Sequence, residues 1–460
     1  MAEEKKNDRF EKGVCILILS ILMLFFASIL LTVFTRQILV KRMGMKNRFT
    51  EIVFFDNPNL NNAGLDPEPL DPMLTAVDWK SLYPVDGQEE SAGTTAQKAP
   101  GFLARYETLA QQLKVKIYAF TTKHLMGNRR IVELENRYKK MIAWDYASYR
   151  EYTGIILLPD GLLTGFFQKK NVSVAAENAI GFSEYCHDRG IEFLYVQIPS
   201  KISETEDRSI SGAVDFSNQN ANDLIGKLRE ADVDVLDLRE RIEAEGLDHH
   251  ALFYRTDHHW RAETGLWAAR NILEYCRDEY RFDVDPELLR EDRFTRVEYP
   301  GVFLGSLGKK TTLAVTEPDD FVLLYPQYET SLHHSVLNGK LENDGDFSVL
   351  YDMTLLERVD YYGQNTYLAY LGGDFAQSYI ENHLKPNDLK ILVINDSFGD
   401  CVLPFLSLGV SRLDELDIRI FNGSVKRYME ENTPDLVIVM YYPDSICGDG
   451  DGNYDTFDFR

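Results

Sequence analysis

No two of the five cysteines, Cys15, Cys186, Cys276, Cys401 and Cys447, stand in a Cys-x-x-Cys spacing. That excludes the sequence forms of a zinc ribbon, a thioredoxin-like redox pair and a small disulfide-stapled scaffold. Positive charge is short as well: 49 Lys and Arg face 73 Asp and Glu, a formal net charge of −24. The first 42 residues hold seven Lys/Arg against four Asp/Glu, which leaves −27 for the remainder. So acidic a surface repels phosphate backbones and argues against nucleic acid as a partner. A neutral glycan or a small acyl donor stays compatible with it. A phosphate loop is missing too. Gly305-Ser306-Leu307-Gly308-Lys309-Lys310 puts Phe303 where the first glycine belongs and Lys310 where Ser or Thr is needed. The stretch reads instead as a glycine-rich lip near a site. The tail from Asp449 to Asp455 resembles a calcium loop, but Tyr454 holds the required glycine position and Arg460 the final glutamate. No cofactor motif is present, and none is expected.

Long apolar runs are also scarce, with one exception. Residues 13–34 carry no charge, and twenty-two residues of helix span about 33 Å, enough to cross a hydrocarbon core. Lys5, Lys6, Arg9 and Lys12 precede the run, and Arg36, Lys41 and Arg42 follow it. The expectation is an uncleaved membrane anchor, with residues 1–12 cytoplasmic and the bulk of the chain outside; a cleaved signal peptide is the alternative. Residues 35–100 are rich in Asp, Asn, Pro, Gly, Ser and Thr from 56 onward and read as a linker or collar. Residues 101–150 follow a helical rhythm through Leu103, Tyr106, Leu109 and Leu113.

Beyond Tyr149 the pattern alternates. Ile155–Leu158, Phe193–Ile198, Val233–Leu238, Ile391–Ile394, Leu416–Ile420 and Asp435–Met440 read as strands, and Val174–His187, Ala221–Ala231 and 261–278 as helices. Alternation of this kind implies an α/β domain with a mostly parallel sheet flanked by helices, and ligands held beyond the carboxyl ends of its strands. Residues 295–370 lose the helical rhythm and become rich in Tyr, Val, Thr and Gly, which predicts a β-rich insertion.

Two stretches carry candidate chemistry. In Ile391-Leu392-Val393-Ile394-Asn395-Asp396-Ser397-Phe398-Gly399-Asp400 a buried strand runs into a polar turn, and the apolar run from Cys401 to Leu408 looks helical. Ser397 then sits at a helix N-terminus, where free backbone N–H groups suit an oxyanion beside a nucleophile. The structural alternative is that Asp396 or Ser397 only caps the helix. The second stretch is Tyr254-Arg255-Thr256-Asp257-His258-His259-Trp260. A serine nucleophile needs a base, and the base an orienting carboxylate. In an extended segment Asp257 and His259 point to one side and can meet Ser397 together. Trp260 reads as a packing anchor. Asp248-His249-His250 repeats the Asp-His-His pattern, but the histidine spacings do not form a ligand set, and no metal is expected.

The Asp-His-His-Trp motif with its following Ala-rich helix, then Leu371-Gly372-Gly373-Asp374, Asn395-Asp396-Ser397-Phe398-Gly399, Pro404-Phe405-Leu406 and Leu416-Asp417-Ile418-Arg419, resembles the DHHW protein family. That family is similar to the alginate O-acetylation proteins AlgJ and AlgX, with a permuted SGNH-hydrolase-like domain, and the resemblance covers about residues 150–445. It implies a catalytic domain at 151–445, with 446–460 left as a frayed acidic tail. It implies Ser397, His259 and Asp257 as catalytic residues and Gly372 and Gly373 near the oxyanion. Lys201, in a Pro-x-Lys turn, and Arg419 fall near the site. The simplest structural role for Arg419 is a salt bridge with Asp417 or Asp400. It further implies acyl transfer to a cell-envelope or secreted polysaccharide, an extracytoplasmic location, and a membrane-bound O-acyltransferase as donor partner. A deacetylase using water, and a non-catalytic glycan-binding assembly protein, are the competing readings. The SGNH asparagine block is not identifiable.

Overall fold

The chain divides into two compact units, Met1–Leu134 and Glu135–Arg460. The computed structural model describes residues 150–446 and 456–460 apart from 153–154, 159, 166, 205–208, 211–212 and 337–340, and a few residues between 132 and 137. The expected anchor at 13–34, the linker at 35–100 and most of the helical segment 101–150 lie outside the described residues. No described helix is long and apolar enough to cross a membrane.

The central strands form where apolar, mostly β-branched or aromatic residues run together. The main strands are β1 (Glu192–Gln197), β2 (Val235–Asp237), β5 (Leu332–Val336), β6 (Leu341–Gly345), β7 (Gln377–Asn382), β8 (Lys390–Asn395), β9 (Arg412–Leu416) and β10 (Leu436–Tyr441). Between β2 and β5 lies a separate antiparallel hairpin, β3 (Phe294–Phe303) and β4 (Asp319–Pro326). The main sheet runs β6-β5-β7-β9-β8-β10-β1-β2. Pairing from β9 through β2 is parallel, and β7, β5 and β6 extend one edge antiparallel. The fold is therefore α/β with a large mixed sheet.

Period-two alternation divides the core between two faces. Leu194, Val196, Ile391, Val393, Ile438 and Met440 face helix α3 (Ala262–Asp278) and the hairpin. Phe193, Tyr195, Leu392, Ile394, Val437 and Val439 face α1 (Ser173–His187), α2 (Ser217–Glu230) and α5 (Val425–Asn432). Strands covered on both sides need no polar face, which is why β10 is buried along its whole length.

Several sequence expectations need correction. Ile155–Leu157 belongs to a small antiparallel sheet with Arg150–Tyr152 and Leu163–Thr164, so the main sheet starts only at Glu192. The supposed insertion at 295–370 is not one β unit. Its β5 and β6 extend the main sheet, and 347–369 is built of short helical turns. The strand expected at Leu416–Ile420 ends at Leu416, because Asp417 turns the chain by accepting the Arg419 N–H at 3.0 Å. The helix expected after Ser397 is broken into 3-10 and α pieces, Gly399–Cys401, Leu403–Leu406 and Ser407–Gly409, with Pro404 in the first turn of the middle one. The end of the chain is not frayed: Phe457 and Phe459 enter the core, and Phe459 stacks on Phe182 at 4.4 Å between centroids. Burying two phenyl rings stabilises that attachment by about 3–6 kcal/mol before ordering costs.

Candidate active site

The Asp257–His259 segment is the tip of a tight loop. Tyr254 N–H donates to His259 O at 3.1 Å and Arg261 N–H to Leu252 O at 2.9 Å, so the chain reverses over residues 254–259. Asp257 and His259 share a side because of an Asx-type turn, not because the segment is extended. Asp257 Oδ1 accepts from the His259 backbone N–H at 3.1 Å and from His259 Nδ1–H at 2.5 Å. A carboxylate on Nδ1 fixes the proton there and leaves Nε2 as an acceptor. The Ser397 hydroxyl lies 2.7 Å from that Nε2.

Each member is held from outside. Asp319, at the start of β4, accepts the Thr256 N–H at 2.8 Å and the Thr256 hydroxyl at 2.6 Å, which pins the residue before Asp257. The lip Gly305–Gly308 opens the short helix α4 (Ser306–Thr311), and the Ser306 N–H donates to Asp257 Oδ2. Gly305 is required by proximity: a Cβ there would lie 2.3 Å from Asp257 Cβ. Burial alone would raise the Asp257 carboxyl. His258 and His259 beside it, with the hydrogen bonds from His259 and the Ser306 N–H, outweigh that and hold it well below the usual carboxylate range.

On the serine side, β8 delivers the chain at Asn395, and Asp396 organises the turn. Its Oδ1 accepts the Phe398 N–H at 3.0 Å, and its Oδ2 accepts the Tyr442 N–H at 3.0 Å and the Ser445 hydroxyl at 2.6 Å. Asp396 is thus the structural member and Ser397 is left for the histidine. Gly399 is again a close-approach glycine, since a Cβ would meet Asn395 Nδ2 at 2.0 Å. Trp260 ties the two halves together, its indole N–H donating to Phe398 O at 3.0 Å. The Tyr367 ring lies flat on the His259 imidazole, 3.8 Å between centroids and 10° from parallel.

The remaining candidates are placed differently. Lys201 is buried beneath the histidine loop, its ammonium donating to Leu163 O at 2.8 Å and Arg255 O at 3.3 Å. Burial brings it down to about 7, against the opposing pull of Asp257 and Asp319. Through Arg255 O it supports the histidine loop. Arg419 is clamped by Asp417, at 2.8 and 2.6 Å. Burial works against its charge, but Asp417, Asp396 and Asp374 favour it and raise it further. Gly372 and Gly373 follow Leu371 in a run of positive φ, +57°, +80° and +141°. The next residue, Asp374, meets the carboxyl of Asp400 on the turn after Ser397; burial, then Asp374 and Glu415, push Asp400 well above the usual range. The glycine loop therefore lies alongside the nucleophile turn. Cys401 is buried, and burial pushes its thiol up, away from a reactive thiolate.

Ligand atoms of Asp257, His258 and His259 fall within 4.8 Å of one another, a spacing open to a metal ion. They are already engaged: His259 by Asp257 and Ser397, and His258 Nδ1 by the Ser306 hydroxyl at 3.0 Å. A metal there would have to break the hydrogen-bonded chain.

Sequence reasoning missed Asp319 and Tyr367, offered Asp396 only as a helix cap, and gave Ser306 no role beyond its place in the lip. Ser306 was signalled by its glycine-rich surroundings. Asp319 and Tyr367 carry no local signal.

Residues 167–333 match the family model described as the SGNH hydrolase-like domain of acetyltransferase AlgX. Several solved structures share the fold, among them the following two. Bacillus cereus PatB1 with a sulfonyl adduct is 18% identical, with a TM-score of 0.52 over 66% of this chain and 99% of that one. A DHHW family protein from Eubacterium siraeum is 17% identical, with a TM-score of 0.53 over 67% of this chain and 96% of that one. No curated protein matches. Residues 167–333 are thus similar to an SGNH hydrolase-like domain of the AlgX type, which bears out the resemblance carried by the Asp-His-His-Trp motif.

Proposed function

We propose that the chain is a serine O-acyltransferase in which Ser397, His259 and Asp257 act as a triad, moving an acetyl group onto a hydroxyl of a cell-envelope or secreted polysaccharide. The observation that carries the reading is the continuous hydrogen-bonded line Asp257–His259–Ser397, at 2.5 and 2.7 Å, at the carboxyl end of a parallel strand. Ser397 Oγ attacks the acyl carbonyl while its proton passes to His259 Nε2. Asp257 holds the imidazole and stabilises the imidazolium. The Ser397 and Gly373 N–H groups are the expected oxyanion donors. Collapse expels the donor's leaving group, which takes the proton from His259, and leaves an acyl-serine. An acceptor hydroxyl then gives its proton to the same Nε2, attacks the acyl carbon and regenerates Ser397.

Membrane attachment through 13–34, an extracytoplasmic catalytic domain and supply of acetyl by a membrane-bound O-acyltransferase complete the proposal. The match to an acetyltransferase domain favours a sugar hydroxyl over water as acceptor.

The test is release of p-nitrophenol from its acetate ester by the purified chain, beside Ser397→Ala and His259→Ala. The expected result is turnover in wild type alone, with both variants down by at least about 10³-fold. Retention of wild-type turnover by Ser397→Ala would sink the triad. Adding a glycan acceptor should raise product release and yield acetylated glycan; release of free acetate alone would mark a hydrolase.

A further inference from the structure

The imidazole of His259 touches more than its two hydrogen-bond partners. Tyr367, in the short turn Thr366–Ala369, covers one face of the ring at 3.8 Å and 10° and is itself fully buried. Nearly parallel stacking at that distance does two things. It fixes the plane of the imidazole, so that Nδ1 and Nε2 stay on the line from Asp257 to Ser397. It also places the electron-rich face of a phenol directly against a ring that becomes cationic when it takes the serine proton. Phe398 contacts the same imidazole at 4.8 Å but is tilted by 47°, so it does not offer its face in the same way.

The hydroxyl does not explain the residue. The buried Tyr367 hydroxyl reaches only the thiol of Cys401, a weak hydrogen-bond partner. Its far end lies by Cys401 and Asp400, neither of which it needs in order to cover His259. The stacked ring is the part that touches the proposed machinery.

We infer that Tyr367 is a positioning residue that stabilises the imidazolium form of His259 through its ring face. The inference rests on the proposed triad. It names a group that acts on the transition state through the base, with no substrate contact of its own. A ring that favours the charged imidazole speeds the step in which that charge forms and leaves substrate binding alone. The effect belongs in kcat and in the acylation rate, not in KM.

The experiment is the rate of covalent labelling of Ser397 by a fluorophosphonate, together with kcat and KM on p-nitrophenyl acetate. Wild type is compared with Tyr367→Phe and with chains carrying 3,5-difluoro- or pentafluorophenylalanine at 367. These replacements keep the shape of the ring while draining and then inverting its quadrupole, so packing is held nearly constant. Tyr367→Phe should label at close to the wild-type rate. The fluorinated rings should slow labelling in order, to about tenfold for the pentafluoro ring, with KM unchanged. Equal rates across the series, or a loss confined to KM, would overturn the role. Wild type that fails to label, or a His259→Ala variant that labels as fast as wild type, would overturn the triad and this inference with it. Normal labelling in wild type and a flat fluorination series would overturn the inference alone.

Discussion

Two Asp-His-His sequences stand nine residues apart, and locally they fold alike. Asp248 Oδ1 accepts the His250 N–H at 3.2 Å, and Asp257 Oδ1 accepts the His259 N–H at 3.1 Å. Beyond that turn they differ. In the first, the side chains go separate ways, His249 Nε2 to Ser200 O at 2.7 Å and His250 Nδ1 to Asp160, and Asp248 is exposed. In the second, Asp257 and His259 are buried, the carboxylate also takes the imidazole N–H, and a lip, a hairpin acid and an aromatic ring close around them. The tripeptide supplies an Asx turn. Distant elements turn one copy of it into a buried, hydrogen-bonded carboxylate–imidazole pair.

That contrast can be broken at its strongest point by Asp257→Asn. The amide keeps the shape but can no longer hold the proton on Nδ1, and kcat is expected to fall about 10³- to 10⁴-fold in the ester assay. The equivalent change at Asp248 should leave kcat intact. Next in size, Gly305→Ala forces the lip off Asp257, because the new methyl would sit 2.3 Å from its Cβ. A displacement of about 1 Å at the carboxylate should cost about 10²-fold in kcat, with a circular dichroism spectrum like that of wild type.

Acid sharpens the comparison through stability. The folded-state Asp257 carboxyl is depressed below its unfolded value of about 4. Its stabilisation is therefore fully present above that value and is lost as pH falls toward the folded one. Melting temperatures taken from pH 5 downward should drop more steeply in wild type than in Asp257→Asn. The smallest effect is expected from His250→Ala, which removes a partly exposed ion pair with Asp160. It should change stability by no more than about 1 kcal/mol by urea titration and leave turnover unchanged.

Much of this was legible in the chain itself. The buried strand Ile391–Ile394, the turn at Ser397 and helix 261–278 follow from β-branched runs, polar turn residues and helical spacing. They recur within a residue or two at β8 and α3. Lys201 shows where such reading stops. It ends a strand in a polar turn just as Ser397 does, yet its ammonium is taken by two carbonyls 38 and 54 residues away. Period and propensity say where a side chain leaves the backbone, and they are silent on which distant carbonyl will claim it. Asp319 and Tyr367 were invisible for the same reason. Their partners, Thr256 and His259, are set by how the hairpin and the 366–369 turn pack. The tail was misjudged on its acidity, although Phe457 and Phe459 alternate as a buried edge would.

His259 and Ser397 are 138 residues apart, and the Trp260–Phe398 bond that fastens their loops spans the same separation. Closing a loop of that length is slow and comes after local structure has formed. Helix α3 and strand β8 can each form early, but neither brings the serine to its base. On the proposed triad, ester cleavage is thus a readout of late folding: a partly folded chain in transit carries an ordinary, unactivated hydroxyl. On that reading the long separation is a built-in delay, withholding acyl chemistry until the sheet has closed.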